Sequence, residues 1–229
     1  MSLRVTHVVR SVVAEPGTVS VVLPGLIARL NEFDVSSRLA DGPEDADVVH
    51  IHGWGYDASL AAAREAIRAG RPFVLSPLGG VCEAVNRRKF VERLRFAFRD
   101  RRLVRAARVV LGVNPHEARA LQESGAASDV RVMGYGIESA VYAGCVSGIE
   151  RRVVFLGWLH PLGGLGEVLR ATAEVGPVAE GWTVDVAGRD DGDWRPKLEA
   201  AVRRKGGEHR VRFVAANDEA SQAALLHGA

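Results

Sequence analysis

The stretch Val153–Arg170 constrains this chain more than any other. A continuous apolar run, Val153–Leu156, closes on Gly157; Pro161, Gly163 and Gly164 follow; a helical apolar pattern then begins at Leu165. Strand, glycine-rich turn and helix N-terminus in that order leave unpaired backbone N–H groups at the positive end of a helix, a place suited to an anion such as phosphate. Any α/β domain needs such turns. The stretch gains meaning from its position, because one set of alternating elements precedes it and a second begins with it.

The first set opens with Leu3–Val9, a run of β-branched residues that reads as a buried strand. Glu15-Pro-Gly-Thr18 breaks it, and Val19–Leu30 is apolar all round, with Pro24 expected to kink its helix or delay its start. Phe33–Leu39 and Asp47–His52 read as strands, Ala58–Ala69 as a helix stopped by Gly70, and Pro72–Ser76 as a strand running into Pro77-Leu-Gly-Gly80. A long helical pattern covers Glu83–Ala107. Strands at Val109–Val113 and Val130–Met133 flank a short helix at His116–Glu123. Val141–Glu150 lacks periodicity and reads as a linker. The pattern then restarts: strands at Val153–Leu156, Trp182–Ala187 and Val211–Val214, helices at Leu165–Val175, Arg195–Arg204 and Glu219–His227.

This alternation implies α/β architecture with parallel sheets covered on both faces. The expected organisation is two Rossmann-like domains, residues 1–145 and 146–229, the second incomplete. Ligands of such folds bind beyond the carboxyl ends of the strands, so the expected site is the cleft between the halves. A second sheet of three strands would expose an edge, which predicts a missing segment or a partner covering it.

Composition narrows the class. With 229 residues, a net charge of +2, and two cysteines, Cys82 and Cys145, in no metal-binding spacing, the chain reads as an ordinary globular protein of a reducing compartment. It gives no reason to expect a nucleic-acid partner. No apolar stretch has the length of a membrane span and no signal-like N-terminus is visible, so a cytoplasmic location is expected. One segment departs from the average. Asn86–Arg108 holds ten Lys/Arg against Glu92 and Asp100, with an apolar stripe through Phe90, Leu94, Ala97 and Phe98. It reads as the solvated face of a core helix, or as a basic amphipathic surface for peripheral contact at the inner membrane face.

Candidate chemistry lies at strand ends. His50 and His52 share one face of their strand by the period of two, and His52 stands beside Gly53 at the ligand edge. A metal would need a third ligand, and none is nearby in sequence. Packing and substrate contact both remain open for this pair. The turn containing Gly17 and Thr18, and the Gly79-Gly80 pair, permit close backbone approach to a ligand or serve as plain turns. Asp190-Asp-Gly-Asp193 contains a D-x-D, which reads as a solvated acidic turn rather than a metal–diphosphate site.

With these pieces in order, the chain resembles a GT-B glycosyltransferase of the retaining group 1, family 4-like type. Asp47–Gly53 is similar to that family's "DVVHIHG" strand, Arg71–Pro77 to its "PYVVSPHG" segment, and Val153–Leu165 to its "FLGRLHPKKGL" segment. Arg131–Glu138 stands where the family has its "PNGVD" turn, and Trp182–Gly188 resembles the strand ending in "AG". The resemblance implies a nucleotide-diphosphate sugar as donor, a glycan, lipid-linked or small-molecule acceptor, and no cofactor or bound metal. It implies His52 as a catalytic residue. It assigns the donor to Gly17, Thr18, Gly157, Trp158, Gly163, Gly164, Leu165, Gly188, Arg189 and Ala216, and the acceptor side to Gly79, Gly80, Gly136 and Glu138.

The departures fall where charge matters. The family's diphosphate-neutralising Arg and Lys are Trp158 and Gly163 here, the His of "SPHG" is Leu78, and the Pro and Asn of "PNG" are Gly134 and Tyr135. The chain stops at Ala229, ahead of the family's pair of donor-binding glutamates, which predicts truncation or divergence. Two readings follow: a transferase, and a catalytically inactive GT-B homologue that binds a sugar nucleotide or glycan or acts as a partner subunit.

Overall fold

The computed structural model describes residues 2–9, 18–43, 45–54, 57–78, 100–137, 139–144, 151–159, 163–175, 181–188, 190, 192–204, 206–216, 218–227 and 229. The chain divides into two compact units, Met1–Ile137 and Glu138–Ala229. The division falls ahead of the 145/146 boundary expected from the loss of periodicity. Ser139–Tyr142, whose last two residues open the expected linker, forms a 3-10 turn, and that turn packs against the last helix of the second unit.

In the first unit the strands are β1 (Leu3–Val9), β2 (Val35–Leu39), β3 (Val48–His52), β4 (Phe73–Ser76), β5 (Val109–Gly112) and β6 (Val130–Val132). The described helices are α1 (Thr18–Glu32), α2 (Asp57–Arg68), α3 (Arg101–Ala106) and α4 (Pro115–Glu123). All pairs are parallel, in the order β2-β1-β3-β4-β5-β6. The chain therefore reverses its direction of growth between β1 and β3, the switch point at which open α/β sheets bind ligands.

Strand alternation decides what each face does. On β3, Val49 and Ile51 are fully buried and point one way, with Val8, Phe73 and Leu75 beside them. They meet Leu60, Ala62, Ala63 and Ala66 of α2 and Val104 of α3 in one apolar cluster. Burying each large side chain there contributes about 1.5–3 kcal/mol. The opposite face of β1 and β3 carries histidines.

Local chemistry fixes the ends. Asp47, the first residue of the "DVVHIHG" motif, accepts from the Arg4 backbone N–H at 2.9 Å and from its guanidinium at 2.9 and 3.2 Å, which pins the register of β1 against β3. That Arg4 contact holds the Asp47 carboxyl down at about 2. Asn114 caps α4 by accepting from the Glu117 N–H, Pro115 takes the first position, and Glu117 accepts from the Val113 N–H. The expected strand at Phe33 begins instead at Val35, because Asp34 adopts a left-handed conformation (φ 60°) that turns the chain out of α1. Pro24 lies within α1, which starts at Thr18 rather than beyond the proline.

The second unit holds β7 (Arg152–Leu156), β8 (Thr183–Ala187) and β9 (Val211–Phe213), parallel in that order, with α5 (Leu165–Val175), α6 (Trp194–Arg204) and α7 (Glu219–Leu226). Leu159, Leu165, Val184 and Val186 form its core, with Phe155, Leu198 and Phe213 against them. Asp185 is buried at the sheet centre. It accepts from Arg152 Nη1 at 3.3 Å and from Arg212 Nε and Nη2 at 2.7 and 3.0 Å. Arg152 also donates to the carbonyls of Leu225 and His227, tying β7 to the end of α7. An Asp218–Ser221 capping box starts α7. No described helix is long and apolar enough to cross a membrane. Of the basic segment, Asn86–Arg99 lies outside the described residues; within α3, Val104 is buried and Arg101 donates to the Gly125 carbonyl.

Candidate functional site

The parallel register of β2, β1, β3 and β4 assembles a polar cluster that no local spacing reveals. His7 stands opposite His50, Val9 opposite His52, and His52 opposite Ser76. Val5 stands opposite Ser37. By the period of two, Ser37, His7, His50, His52 and Ser76 then share one face. Their polar atoms meet. His7 Nε2 lies 2.8 Å from Ser37 Oγ, His7 Nδ1 lies 2.9 Å from His52 Nε2, and His50 Nε2 lies 2.8 Å from Ser76 Oγ. The rings of His50 and His52 approach to 4.0 Å between centroids.

All three imidazoles are buried: His7 is 0%, His52 3% and His50 8% exposed. Removing an imidazolium from water without a carboxylate partner disfavours charge. Burial accordingly lowers His7 to about 4; burial and then His7 lower His52 to about 3; His50 falls well below its ordinary value for the same reasons. The cluster is neutral at physiological pH. Each ring then has one N–H and one lone pair, so Ser37–His7–His52 forms a chain whose proton positions are coupled. His52 Nδ1 is buried with no hydrogen-bond partner among the described residues. A buried nitrogen without a partner at a strand end is costly unless a ligand completes it.

Around the same edge, Leu78, at the place of the family's histidine, has φ 54° directly after β4. A non-glycine residue held in the left-handed region costs about 1–2 kcal/mol and marks a constrained loop. Tyr135 has a buried hydroxyl without a partner among the described residues, raised to about 12 by burial and then by Glu117. Gly136 is exposed with open space about it. Gly17, Gly79, Gly80 and Glu138 lie outside the described residues, and of Thr18 only the backbone, the first residue of α1, is described.

In the second unit the expected donor residues gather by backbone. The Gly157 N–H donates to the Ala187 carbonyl at 3.0 Å. A Cβ at Gly188, whose φ is 142°, would stand 1.6 Å from the Gly157 oxygen, and a Cβ at Gly163 would stand 2.0 Å from the Trp158 oxygen. Both positions accept only glycine, because main chain crosses main chain there. Trp158 is 42% exposed. Leu165 is fully buried in the core and Ala216 is buried, so each can offer a ligand only its backbone. The first turn of α5 already carries an acid, Glu167, paired with Arg170 at 3.4 Å. Of the D-x-D turn, Asp190 spends both carboxylate oxygens on the N–H groups of Gly192, Trp194 and Arg195, which starts α6 and leaves its oxygens committed to backbone. Arg189 lies outside the described residues.

Sequence reasoning found His50 and His52 and missed His7 and Ser37. Nothing local marks them; only strand pairing does, of β1 with β3 for His7 and of β1 with β2 for Ser37.

Several solved structures share the fold. Sucrose-phosphate synthase from Thermosynechococcus elongatus superposes with a TM-score of 0.69 at 15% identity, covering 97% of this chain and 73% of that one. Anabaena HepE in complex with UDP and glucose gives 0.65 at 15% identity, with 96% and 71% covered. The lipopolysaccharide outer core galactosyltransferase WaaB gives 0.60 at 14%, with 98% and 71% covered. At these identities the likeness is one of fold, and that fold is GT-B. No curated protein matches the sequence. The family model described as Glycosyl transferase 4-like domain matches residues 3–136, more than half of the chain. The chain belongs to that family of glycosyltransferases.

Proposed function

We propose that the chain transfers a sugar from a nucleotide-diphosphate sugar to a glycan, lipid-linked or small-molecule acceptor, with retention and without a metal on the diphosphate. The second unit takes the donor and the first unit the acceptor. The observation that carries the reading is His52: buried, neutral, at the carboxyl end of β3 beside the switch point, with Nδ1 unpaired among the described residues. A sugar hydroxyl is the group that such a nitrogen accepts from or donates to without either partner becoming charged. UDP and UDP-glucose bound to Anabaena HepE, a protein of the same fold, are in keeping with a sugar-nucleotide donor.

In the donor unit the diphosphate is met by main chain. The N-terminus of α5 and the Gly163-Gly164 backbone provide N–H groups, and Trp158 offers an exposed ring on which a base or sugar face can stack. No dissociable cofactor enters the reading.

A second reading has its own observation. Gly163 has no room for any side chain, so the charge the family places there cannot be restored by a rotamer. This favours a homologue that binds a sugar nucleotide with little or no turnover. Calorimetry against UDP-, GDP- and ADP-sugars, followed by turnover with an acceptor panel, separates the two. Binding with turnover that His52→Ala lowers at least tenfold supports the transferase. Binding without turnover selects the second reading, and no binding to any nucleotide sugar refutes both.

A further inference from the structure

The histidine cluster has a property that sugar transfer does not require. One ring nitrogen from each of His7, His50 and His52 lies within 4.8 Å of the other two, and the three residues come from two adjacent strands of the first unit alone. The partners that the structure gives these rings are two serine hydroxyls and one another. Among the described residues no carboxylate or cation stands with them.

The serines matter for the orientation of the rings. Ser37 holds Nε2 of His7 and Ser76 holds Nε2 of His50. That leaves Nδ1 of both rings for other partners, and His52 Nε2 stands 2.9 Å from His7 Nδ1. Imidazoles that ligate a metal almost always give their other nitrogen to an oxygen, which fixes the ring and raises its basicity. Two of the three rings already have that partner.

We propose that His7, His50 and His52 bind one divalent transition ion of the zinc class, through one imidazole nitrogen each. Three imidazoles suit zinc, cobalt, nickel or copper and not magnesium or calcium, which take oxygen ligands. At metal–nitrogen distances of about 2.0–2.1 Å, tetrahedral ligands stand about 3.3 Å apart. The short His7–His52 pair must therefore open slightly and the longest separation must close, both within reach of side-chain torsions. Three neutral ligands leave the ion its full charge and a fourth position, which water, hydroxide or an anion completes. Ligation through His52 Nε2 would also fix its Nδ1 as an N–H. The proposal stands apart from the transfer reading, since it needs only the first sheet and neither nucleotide nor acceptor.

The full chain, stripped with a chelator, is mixed with one equivalent of Zn²⁺ or Co²⁺ and passed through a desalting column. The expected result is retention of about one ion per chain and an intense tetrahedral cobalt spectrum. X-ray absorption of the zinc form should show three imidazole nitrogens at about 2.0–2.1 Å. Mg²⁺ should not be retained. Ser76→Ala should weaken zinc binding roughly 10–100-fold, the usual effect of removing an outer partner, and His50→Gln should weaken it further. Retention well below one ion, a six-coordinate oxygen-rich spectrum such as exposed histidines give, or unchanged affinity in His50→Gln overturns the proposal. Should His50→Gln fail to fold, the ligand count in the wild-type X-ray absorption spectrum decides alone.

Discussion

Restoring the family's lysine in the donor loop should damage this protein rather than repair it. An ideal Cβ at Gly163 lies 2.0 Å from the Trp158 carbonyl oxygen and 3.1 Å from its carbonyl carbon. Real Cβ contacts essentially never fall below 3.0 Å, so about 1 Å of backbone displacement is required. The described residues that flank Gly163 are held in place. Leu159 on one side and Leu165 on the other are 3% and 0% exposed and anchored in the second core. Forced shifts in packed surroundings cost about 1–3 kcal/mol, sometimes more. A new charge-assisted contact to a diphosphate would return about 1.5–3 kcal/mol, but only with donor bound and only if the loop geometry survived. Gly163→Lys should therefore lower the urea midpoint by about 0.5–1.5 M, taking a slope of about 2 kcal/mol/M, without tightening nucleotide-sugar binding. Gly163→Ala isolates the cause, since the clash begins at Cβ, and it should lose nearly as much. Trp158→Arg, at an exposed position, should leave the midpoint within about 0.3 M and serves as the control for a charge added to the same loop without a backbone clash. A wild-type midpoint for Gly163→Ala, or tighter nucleotide-sugar binding by Gly163→Lys, refutes the reasoning.

Other expectations follow from burial and charge. Asp185→Asn removes the carboxylate between Arg152 and Arg212; Arg212 can turn to water but Arg152 cannot, so about 3 kcal/mol should be lost in denaturant unfolding, and a loss under about 1 kcal/mol would show the triad to be incidental. Ile51→Ala deletes a fully buried side chain at the sheet centre and should cost about 2–5 kcal/mol by the same assay. In metal-free protein, His7 binds its proton in the unfolded chain near 6.5 and in the folded one near 4. The unfolded state holds the extra proton between those values, so stability present above pH 6.5 is lost as pH falls toward 4, on the order of 3 kcal/mol from this residue. Unfolding free energies that stay level from pH 7 to 4.5, or an NMR titration of His7 near 6.5, would contradict its burial as a neutral ring.

Element types were legible because the signals are local. Alternation and β-branching marked β1, β3 and β8, and Gly70 marked a helix end. Boundaries slipped where a single residue's conformation decided them, as at Asp34. The site was legible only in part. His50 and His52 announced themselves by spacing, whereas His7 and Ser37 enter through strand order, which is a non-local property of the sheet. The character of the glycine turns of the second unit was hidden for another reason. A glycine in a sequence states that a side chain is absent, not whether one would fit; only the 2.0 and 1.6 Å approaches at Gly163 and Gly188 show that these positions are committed.

That commitment bears on how the two units divide their chemistry. The ligand edge of the first unit is built from side chains, three imidazoles whose protonation, tautomer and partners can all be tuned. The corresponding edge of the second unit is built from main chain, with Gly157, Gly163 and Gly188 packed backbone to backbone. A helix N-terminus offers an anion roughly 0.3–1 kcal/mol at an exposed site, and Glu167 in the first turn of α5 already draws on it. Each missing charge-assisted contact would have supplied about 1.5–3 kcal/mol. The dipole therefore cannot stand in for the two cations that the family resemblance would place at Trp158 and Gly163. Any tight grip on a sugar nucleotide must come from stacking and shape, with Trp158 as the exposed surface suited to it. A donor whose base or sugar presents a flat apolar face should then bind better than inorganic diphosphate alone, and diphosphate competing as well as the whole nucleotide sugar would show that charge, not stacking, governs the unit.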